Sequence, residues 1–401
     1  MNFYGITGTN GKTTTTWIFA EFLNAAPGRK CGSITTVEVF DGARHFSTGY
    51  TTPPLKQLHE IYAAMEANGC TDCVMEVSSH AIHQNRTGDT VFAGGAFTNL
   101  SEDHLDYHKT MEEYFRVKAS YAEKIAAQHA VRPDMGRREL PPYVVCLDGE
   151  NGEKMFDAVG NFSVNVIPVT IKKSPFDLSH LQLVGDYNAS NVLVAATLAE
   201  AAGVPHDVIQ KVIPTLKPRW GRLERVENPH VKASVYVDFA HTPDGLEKVL
   251  TAARGFTKGK LWVVFGAGGD RDPMKRPLMG AACAKLADRL VITSDNPRSE
   301  DPMKIIEAIC NGVAALSPAT NGVAALSPAT QDGDAKVLLG RDPSRPKIEP
   351  DRRAANNYAL ANAAEGDVVI IAGKGHETTQ EIAGVKHPFD DRQVVREFAG
   401  V

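Results

Sequence analysis

Short apolar runs alternate along this chain with stretches of helical spacing, and that alternation predicts parallel strands joined by crossover helices. The clearest strands are "CVMEVSS" (73–79), "AGGAFTNL" (93–100), "YVVCLDG" (143–149), "KLWVVFGAGG" (260–269), "RLVITSDNP" (289–297) and "DVVIIAGKG" (367–375). Most of these runs end in Gly, Ser, Asn or Asp, and in open α/β sheets ligands collect at the carboxyl ends of the strands. The predicted class is α/β, with a mostly parallel sheet in each half. A break in the pattern at "IPTLKPRWGRLERV" (213–226), with two prolines, a Trp-Gly pair and clustered arginines, places a domain boundary near residue 217 and so predicts domains 1–217 and 218–401. The polar, proline-containing stretch "QHAVRPDMGRRELPP" (128–142) reads as a surface loop. The decapeptide "NGVAALSPAT" occurs twice in succession, at 311–320 and 321–330; one exact copy is too short for a solenoid and reads as a local duplication away from the chemistry.

At 401 residues the chain is long enough for two cores. A formal net charge of −5 and 23% charged residues are ordinary for a globular protein and argue against nucleic-acid partners. No apolar run is long enough to cross a bilayer, so no membrane association is expected and the cytoplasm is the default location. Six scattered cysteines do not form a disulfide framework; the lone pair Cys70 and Cys73 runs into an apolar strand and reads as two small residues packing at its start.

The chemistry begins with "YGITGTNGKTTTT" (4–16), a strand, a glycine turn, Lys-Thr and a helix in the order a phosphate-binding loop requires. Gly8 and Gly11 let the backbone approach phosphate oxygens, with Thr9 and Asn10 between them. Lys12 adds a point charge, and Thr13 or Thr14 can ligate Mg²⁺. The loop departs from the usual spacing, because Ile6 stands where a first glycine is expected. Glu76, in "MEVSSH", lies at a strand end where an acid could hold the same metal. His104 lies in the acid-rich "TNLSEDHLDYH", and Lys118 in the helical stretch "EYFRVKASYA"; taken alone, the first reads as structural and the second as an exposed lysine.

Together these segments resemble the Mur ligases, ATP-dependent amide-forming enzymes of peptidoglycan assembly. The resemblance runs through "GITGTNGKTTT" (5–15), "TTP" (51–53), "MEVSSHAIHQNR" (75–86), "FTNLSEDHLDYH" (97–108), "YFRVKASY" (114–121), "GDYNASN" (185–191), "VDFAHTPDGL" (237–246), "FGAGGDRDPMKRPLMG" (265–280), "SDNPRSEDP" (294–302) and "AGKGHE" (372–377). It implies a P-loop ATPase domain followed by a Rossmann-like α/β domain. It is strongest to the members that add the third peptide residue to UDP-MurNAc-L-Ala-D-Glu. By this resemblance Thr13, Glu76, His104 and Lys118 surround Mg²⁺, with Lys118 converted to a carbamate by CO₂. Asn188 and Asn191 face the nucleotide of ATP, and Asp238 and His241 meet it from the C-terminal domain. Thr51, Thr52, Ser78, Gln84 and Arg86 hold the muramyl-dipeptide carrier.

Members that use meso-diaminopimelate carry Asp-Asn-Pro-Arg where this chain has Asp295-Asn296-Pro297-Arg298. A guanidinium fork can pair with the second carboxylate of diaminopimelate and would repel the terminal cation of lysine. Arg271, Gly373 and Glu377 complete the expected pocket, with Glu377 receiving the distal ammonium. Without that context, Arg298 would read as a helix-start arginine bonded to Glu300. The resemblance also implies a preceding uridine-binding domain. Three explanations stay open: a truncated chain, a separate protein supplying that domain, or a different grip on the carrier. The expected species is a monomer. Competing readings are a related ligase without a uridine domain, of folylpolyglutamate synthase or cyanophycin synthetase type, and a non-catalytic ATP-binding subunit.

Overall fold

A computed structural model describes residues 1–130, 140–315 and 346–400, which divide into two compact units, Met1–Pro218 and Arg219–Val401. In the first unit an eight-stranded sheet is built from β1 (Asn2–Thr7), β2 (Cys31–Ile34), β3 (Val39–Phe40), β4 (His45–Phe46), β5 (Asp72–Glu76), β6 (Phe92–Phe97), β7 (Pro142–Cys146) and β8 (Asn165–Val169). Its order is β4-β3-β2-β5-β1-β6-β7-β8, parallel throughout except for the antiparallel flap β3–β4. Parallel pairing sets β1 between β5 and β6 with Ile6 opposite Glu76 and Thr7 opposite Phe97. Residues 70 to 90 positions apart in the chain therefore leave the sheet side by side at one edge, where α/β sheets bind ligands. Pro168 lies on the outer strand, where a missing N–H removes no ladder bond.

Two helices in this unit are buried nearly all round, Lys12–Ala25 and Asp186–Ala201, and they pack on each other. Threonines 13 to 16 are all buried in the first of them, and Thr15 Oγ1 donates to Asn191 Oδ1 on the second. The helix Met111–Ala130 is amphipathic instead. Its buried stripe passes through Tyr114, Lys118, Tyr121, Ala122 and Ile125, so a lysine occupies a core position of the repeat. That helix extends through residue 130, which corrects the expected loop at its start: residues 128–130 are helical and 131–139 lie outside the described residues. The CxxC reading holds to the extent that Cys70 and Cys73 are both buried free thiols.

The second unit carries β9 (Glu224–Val226), β10 (Ser234–Asp238), β11 (Leu261–Phe265), β12 (Arg289–Ile292), β13 (Lys347–Ile348) and β14 (Val368–Ala372) in the order β13-β12-β11-β14-β10-β9. Only β9 runs antiparallel. One face of the sheet is covered around Leu246, Val263, Met279 and Ile306, the other around Val237, Val264, Ala355 and Val395. A hairpin, β15 (Thr379–Ile382) and β16 (Val385–Pro388), turns through Ala383 and Gly384, both at positive φ, as a two-residue hairpin requires. The first residues of the repeated decapeptide close the helix Pro302–Ala314, and the rest of the repeat lies outside the described residues.

All six strands anticipated from the apolar runs are present, but each ends before the Gly, Ser, Asn or Asp residues that follow it. Those polar residues form the loops at the carboxyl edge rather than the strands themselves.

Candidate active site

In the first unit the site is assembled around the turn Gly8–Gly11. Gly8 (φ 150°) lies against Thr98, and Gly11 (φ 82°) against the Asn191 amide; a Cβ at either would overlap those groups. Glycine is therefore required by close approach as well as by conformation. Gly11 directly precedes the helix Lys12–Ala25, whose first N–H groups have no intrahelical acceptor and suit an anion. Lys12 Nζ donates to Gly8 O (3.0 Å) and Thr9 O (2.8 Å), curled over the loop. Asn10 N donates to Asn99 Oδ1 (2.9 Å), which ties the turn to the segment after β6.

Beside the turn, Thr13 Oγ1 donates to Glu76 Oε1 (2.7 Å). Glu76 is 1% exposed and also accepts from Thr36 N (2.9 Å) and Thr36 Oγ1 (3.2 Å). Hydroxyl and carboxylate oxygens at this spacing are the hard donors Mg²⁺ prefers, next to a loop shaped for phosphate. Among the described residues no cluster of three or more His, Cys, Asp or Glu forms a ready cage. A metal here would need oxygens from the nucleotide or from a modified side chain.

Lys118 supplies the most unusual group. It is 1% exposed, donates from Nζ to Gly8 O (2.8 Å) and lies 4.7 Å from the centre of the Tyr114 ring. Burial, reinforced by the charge of Lys12 and opposed by Asp103, pushes its pKa well below the usual lysine range. The exposed-lysine reading is thus corrected. Its place in the apolar stripe of the helix was the signal that could have revealed it.

His104 adopts a left-handed conformation (φ 58°) and lies 3.4 Å from Asp103 Oδ2. Desolvation pushes its pKa down to about 3, so the ring is a neutral base. It belongs to a group of rings that sequence reasoning missed: His80 lies 5.0 Å from His104 and 4.2 Å from Tyr107, and His108 lies tilted against Tyr114 at 5.0 Å.

The residues expected to hold the carrier lie along the neighbouring strand end. Thr52 Oγ1 donates to Glu76 O (2.8 Å) and accepts from Ser78 N (3.1 Å), while Thr51 Oγ1 meets Thr36 Oγ1 at 2.9 Å. Arg86 donates to Thr52 O (3.1 Å) and Gln84 Oε1 (2.8 Å). Asn188 is buried and donates to Val184 O (2.8 Å), one helical turn before Asn191. Thr14 is buried in the same helix as Thr13.

In the second unit three loops leave adjacent strands, β12, β11 and β14, at one edge. They bring Arg271, the segment Asp295–Arg298, and Gly373 to Glu377 together. Asn296 donates to Glu377 Oε2 (2.9 Å), which also accepts from the buried Lys374 (2.8 Å). Lys374 Nζ in turn donates to Asn296 Oδ1 (3.0 Å). Arg298 has φ 52°; its Nη1 donates to Gly269 O (2.5 Å) and its Nε lies 3.8 Å from Glu381 of the hairpin. Glu300 does not pair with Arg298. It is held by Arg276 through two bonds of 2.9 and 2.7 Å.

Beneath these loops, Arg352 and Asp391 form a fully buried fork. The Arg352 guanidinium also donates to Ala372 O (2.8 Å) and Ser294 O (3.3 Å), binding the ends of β12 and β14. Gly373 (φ 115°) fits against Asp295, where a Cβ would collide with the carboxylate. At the end of β10, Asp238 accepts from Leu223 N (2.6 Å) and Ala240 N (2.7 Å), and burial raises its pKa against the opposing charge of Arg222. His241 Nδ1 donates to Phe239 O (2.8 Å), and Arg222 stands 4.5 Å over the Phe239 ring. Lys374, Arg222, Arg276 and Arg352 were not singled out from the sequence. Each is a cation whose importance depends on which strand end it reaches.

A glycine turn before a buried helix, with a buried acid and a buried lysine beside it, defines a P-loop nucleotide-binding unit. Residues 6–199 match the Mur ligase middle domain and residues 221–375 the Mur ligase, glutamate ligase domain. The UDP-N-acetylmuramoyl-L-alanyl-D-glutamate–2,6-diaminopimelate ligase of Aquifex aeolicus is 40% identical over 100% of this chain and 78% of its own length. A solved structure of a ligase of that name has 29% identity and a TM-score of 0.58, covering 98% of this chain and 77% of that one. A Mycobacterium tuberculosis folylpolyglutamate synthase complexed with ADP has a TM-score of 0.62 over 93% of this chain and 87% of its own, at 17% identity, a likeness of fold alone. The chain belongs to the Mur ligase family.

Proposed function

We propose that this protein is an ATP-dependent amide ligase that joins meso-diaminopimelate to UDP-MurNAc-L-Ala-D-Glu in peptidoglycan precursor synthesis. Residues 1–217 bind ATP and the carrier, and residues 218–401 bind the amino acid. The carrier's terminal carboxylate attacks the γ-phosphate of ATP, forming an acyl phosphate as ADP leaves; the amine of the incoming amino acid then displaces inorganic phosphate. Gly8 to Gly11 and Lys12 orient and neutralise the phosphates, so the protein's contribution is positioning and electrostatics. Thr13 and Glu76 would hold Mg²⁺, which offsets charge on the transferring phosphoryl group; His104 lies in the adjoining segment.

Lys118 enters as a carbamate. Only a neutral amine attacks CO₂, and a lysine desolvated beside Lys12 is kept neutral far more readily than one in water. The carbamate retains an N–H for Gly8 O and gains oxygens a hard cation accepts. Asn188, Asn191, Asp238 and His241 are the expected nucleotide contacts, and Thr51, Thr52, Ser78, Gln84 and Arg86 the carrier contacts. Cytoplasmic location and a monomeric state complete the reading; among the described residues no helix is long and apolar enough to cross a membrane.

The observation that supports the amino-acid assignment is Arg298 on the loop after β12, the same loop from which Asn296 holds Glu377. Arg271 meets the same Gly268 as Arg298, and Asp295 lies on the Arg298 loop against Gly373. A guanidinium and a carboxylate together suit the zwitterionic end of diaminopimelate. Phosphate release with UDP-MurNAc-dipeptide should be strong with meso-diaminopimelate and weak with L-lysine or L-glutamate, and Arg298→Ala should erase that preference. Equal use of lysine by the unaltered protein would overturn the assignment.

A further inference from the structure

The two loops carrying Arg271 and Arg298 bear like charges, so the bond from Arg298 to Gly269 O needs further contacts to keep them together. Two strained residues mark where this happens. Asp270 (φ 53°) and Arg298 (φ 52°) are both non-glycine residues in the left-handed region, a conformation that persists only where surrounding bonds enforce it.

Glu300 supplies much of that enforcement. Oε1 accepts from Asp270 N (2.6 Å) and Arg276 Nη2 (2.7 Å), and Oε2 from Arg276 Nη1 (2.9 Å). One carboxylate on the second loop thus grips the backbone of the first loop, immediately before Arg271, and the helix that follows it. Ser299 adds a bond from Oγ to Asp270 Oδ1 (2.6 Å). Arg298 returns the contact through Gly269 O, and Gly269 N donates to Asn296 O (2.9 Å). The Arg276 side chain is 6% exposed, so its charge has few alternatives to Glu300.

We infer that Glu300 and Arg276 form a positioning clamp that sets the separation of Arg271 and Arg298, and thereby the preference for an amino acid with a distal carboxylate. The clamp has a second effect. Arg276 Nη2 reaches Gly268 O (3.4 Å), and a Cβ on the same glycine would stand 3.1 Å from Arg298 Nη1, so the two guanidinium groups flank one residue. By engaging Glu300, Arg276 prevents that carboxylate from turning to Arg298 and adding a closer counter-charge to that of Glu381, 3.8 Å from Nε. This inference rests on the diaminopimelate reading of the pocket.

The effects of removing the two partners should therefore be unequal. Glu300→Gln keeps an acceptor for Asp270 N and should raise KM for meso-diaminopimelate about fivefold, whereas Arg276→Met frees Glu300 toward Arg298 and should raise it about thirtyfold. Adding Glu300→Gln to Arg276→Met should restore part of the loss, because the unpaired carboxylate is gone. A purely structural pair would also show some rescue in the double variant, by removing an unpaired charge, but its single variants would lower the melting temperature and move KM for ATP together with KM for the diacid, leaving the diacid-to-lysine ratio unchanged.

The measurements are KM and kcat of the full chain for meso-diaminopimelate and L-lysine, KM for ATP, and the melting temperature of each variant. Support consists of a change carried mainly by KM for the diacid, a fall in the diacid-to-lysine ratio, and partial rescue in the double variant. Unchanged diacid KM in Glu300→Gln, or a double variant worse than either single one, overturns the clamp while leaving the pocket assignment standing. Absence of any diacid preference in the unaltered protein overturns both.

Discussion

Lys118 and Gly8 are 110 residues apart in the chain, yet the lysine amine donates to the glycine carbonyl at 2.8 Å. The bond fixes a buried amine at the back of the turn expected to hold phosphate. Replacing Lys118 by Ala should lower turnover by roughly 10²–10³, the range for losing one preorganised charge-stabilising group. Because the proposed active form is a carbamate, depleting CO₂ and bicarbonate should also slow the unaltered protein, and ¹³C-bicarbonate should give a carbamate resonance that Lys118→Ala lacks. Full activity without bicarbonate, together with no such resonance, would remove the carbamate from the mechanism.

Gly11 is placed where neither its φ of 82° nor its contact with Asn191 tolerates a side chain. Gly11→Ala should raise KM for ATP at least tenfold and also destabilise the first unit by about 1–2 kcal/mol, the penalty for a left-handed non-glycine residue. Gly28 is also left-handed (φ 75°) but has open space around its Cβ position. Gly28→Ala should incur the conformational penalty alone and leave nucleotide binding untouched, which nucleotide titration of the two variants would distinguish.

His108 is fully buried, with Nε2 at 2.9 Å from Ser79 Oγ and Nδ1 unpartnered among the described residues. Burial, and then the charges of His80 and Lys118, push its pKa down to about 4. An unfolded histidine takes up its proton near pH 6.5, so between those values the unfolded chain binds more protons and stability rises with pH. The contribution should be complete above about pH 6.5 and lost progressively as pH falls toward 4. Urea denaturation of His108→Gln should show a flatter dependence over that interval; an identical pH profile would rule out His108 as its source.

Arg352 and Asp391 are both wholly buried, and their fork is supplemented by Asn356 Nδ2 donating to Asp391 Oδ1 at 2.8 Å. Asp391→Ala leaves the buried guanidinium with Asp295, 3.9 Å away, as its nearest remaining carboxylate and should destabilise the second unit by up to about 3–5 kcal/mol. Asp391→Asn, which keeps the shape and one acceptor, should lose less. A loss under 1 kcal/mol on denaturation of Asp391→Ala would mean that Asp295 and the carbonyls of Ser294 and Ala372 suffice to hold Arg352.

The sequence alone carried whatever depends on local spacing. Apolar runs separated by helical stretches require a parallel sheet with crossover helices, so the α/β class followed. Gly8, Gly11, Lys12 and Thr13 lie in one uninterrupted stretch, so the phosphate loop could be read directly.

The tertiary structure decided which distant groups meet. Register between β1 and β5 brings Glu76 beside Ile6, and a turn of helix Met111–Ala130 carries Lys118 beneath Gly8. Neither relation exists until strands pair across intervals of seventy residues or more. The partner of Glu300 was likewise undetermined, since Arg276 and Arg298 are both within reach of a loop glutamate by sequence. Burial gave it Arg276, because a guanidinium enclosed in the core must find an anion, whereas one at the pocket mouth can remain available to a substrate. Local physics names the elements and the candidate groups; the dielectric and neighbours that give each group its charge state and task arise only when the sheets close around them.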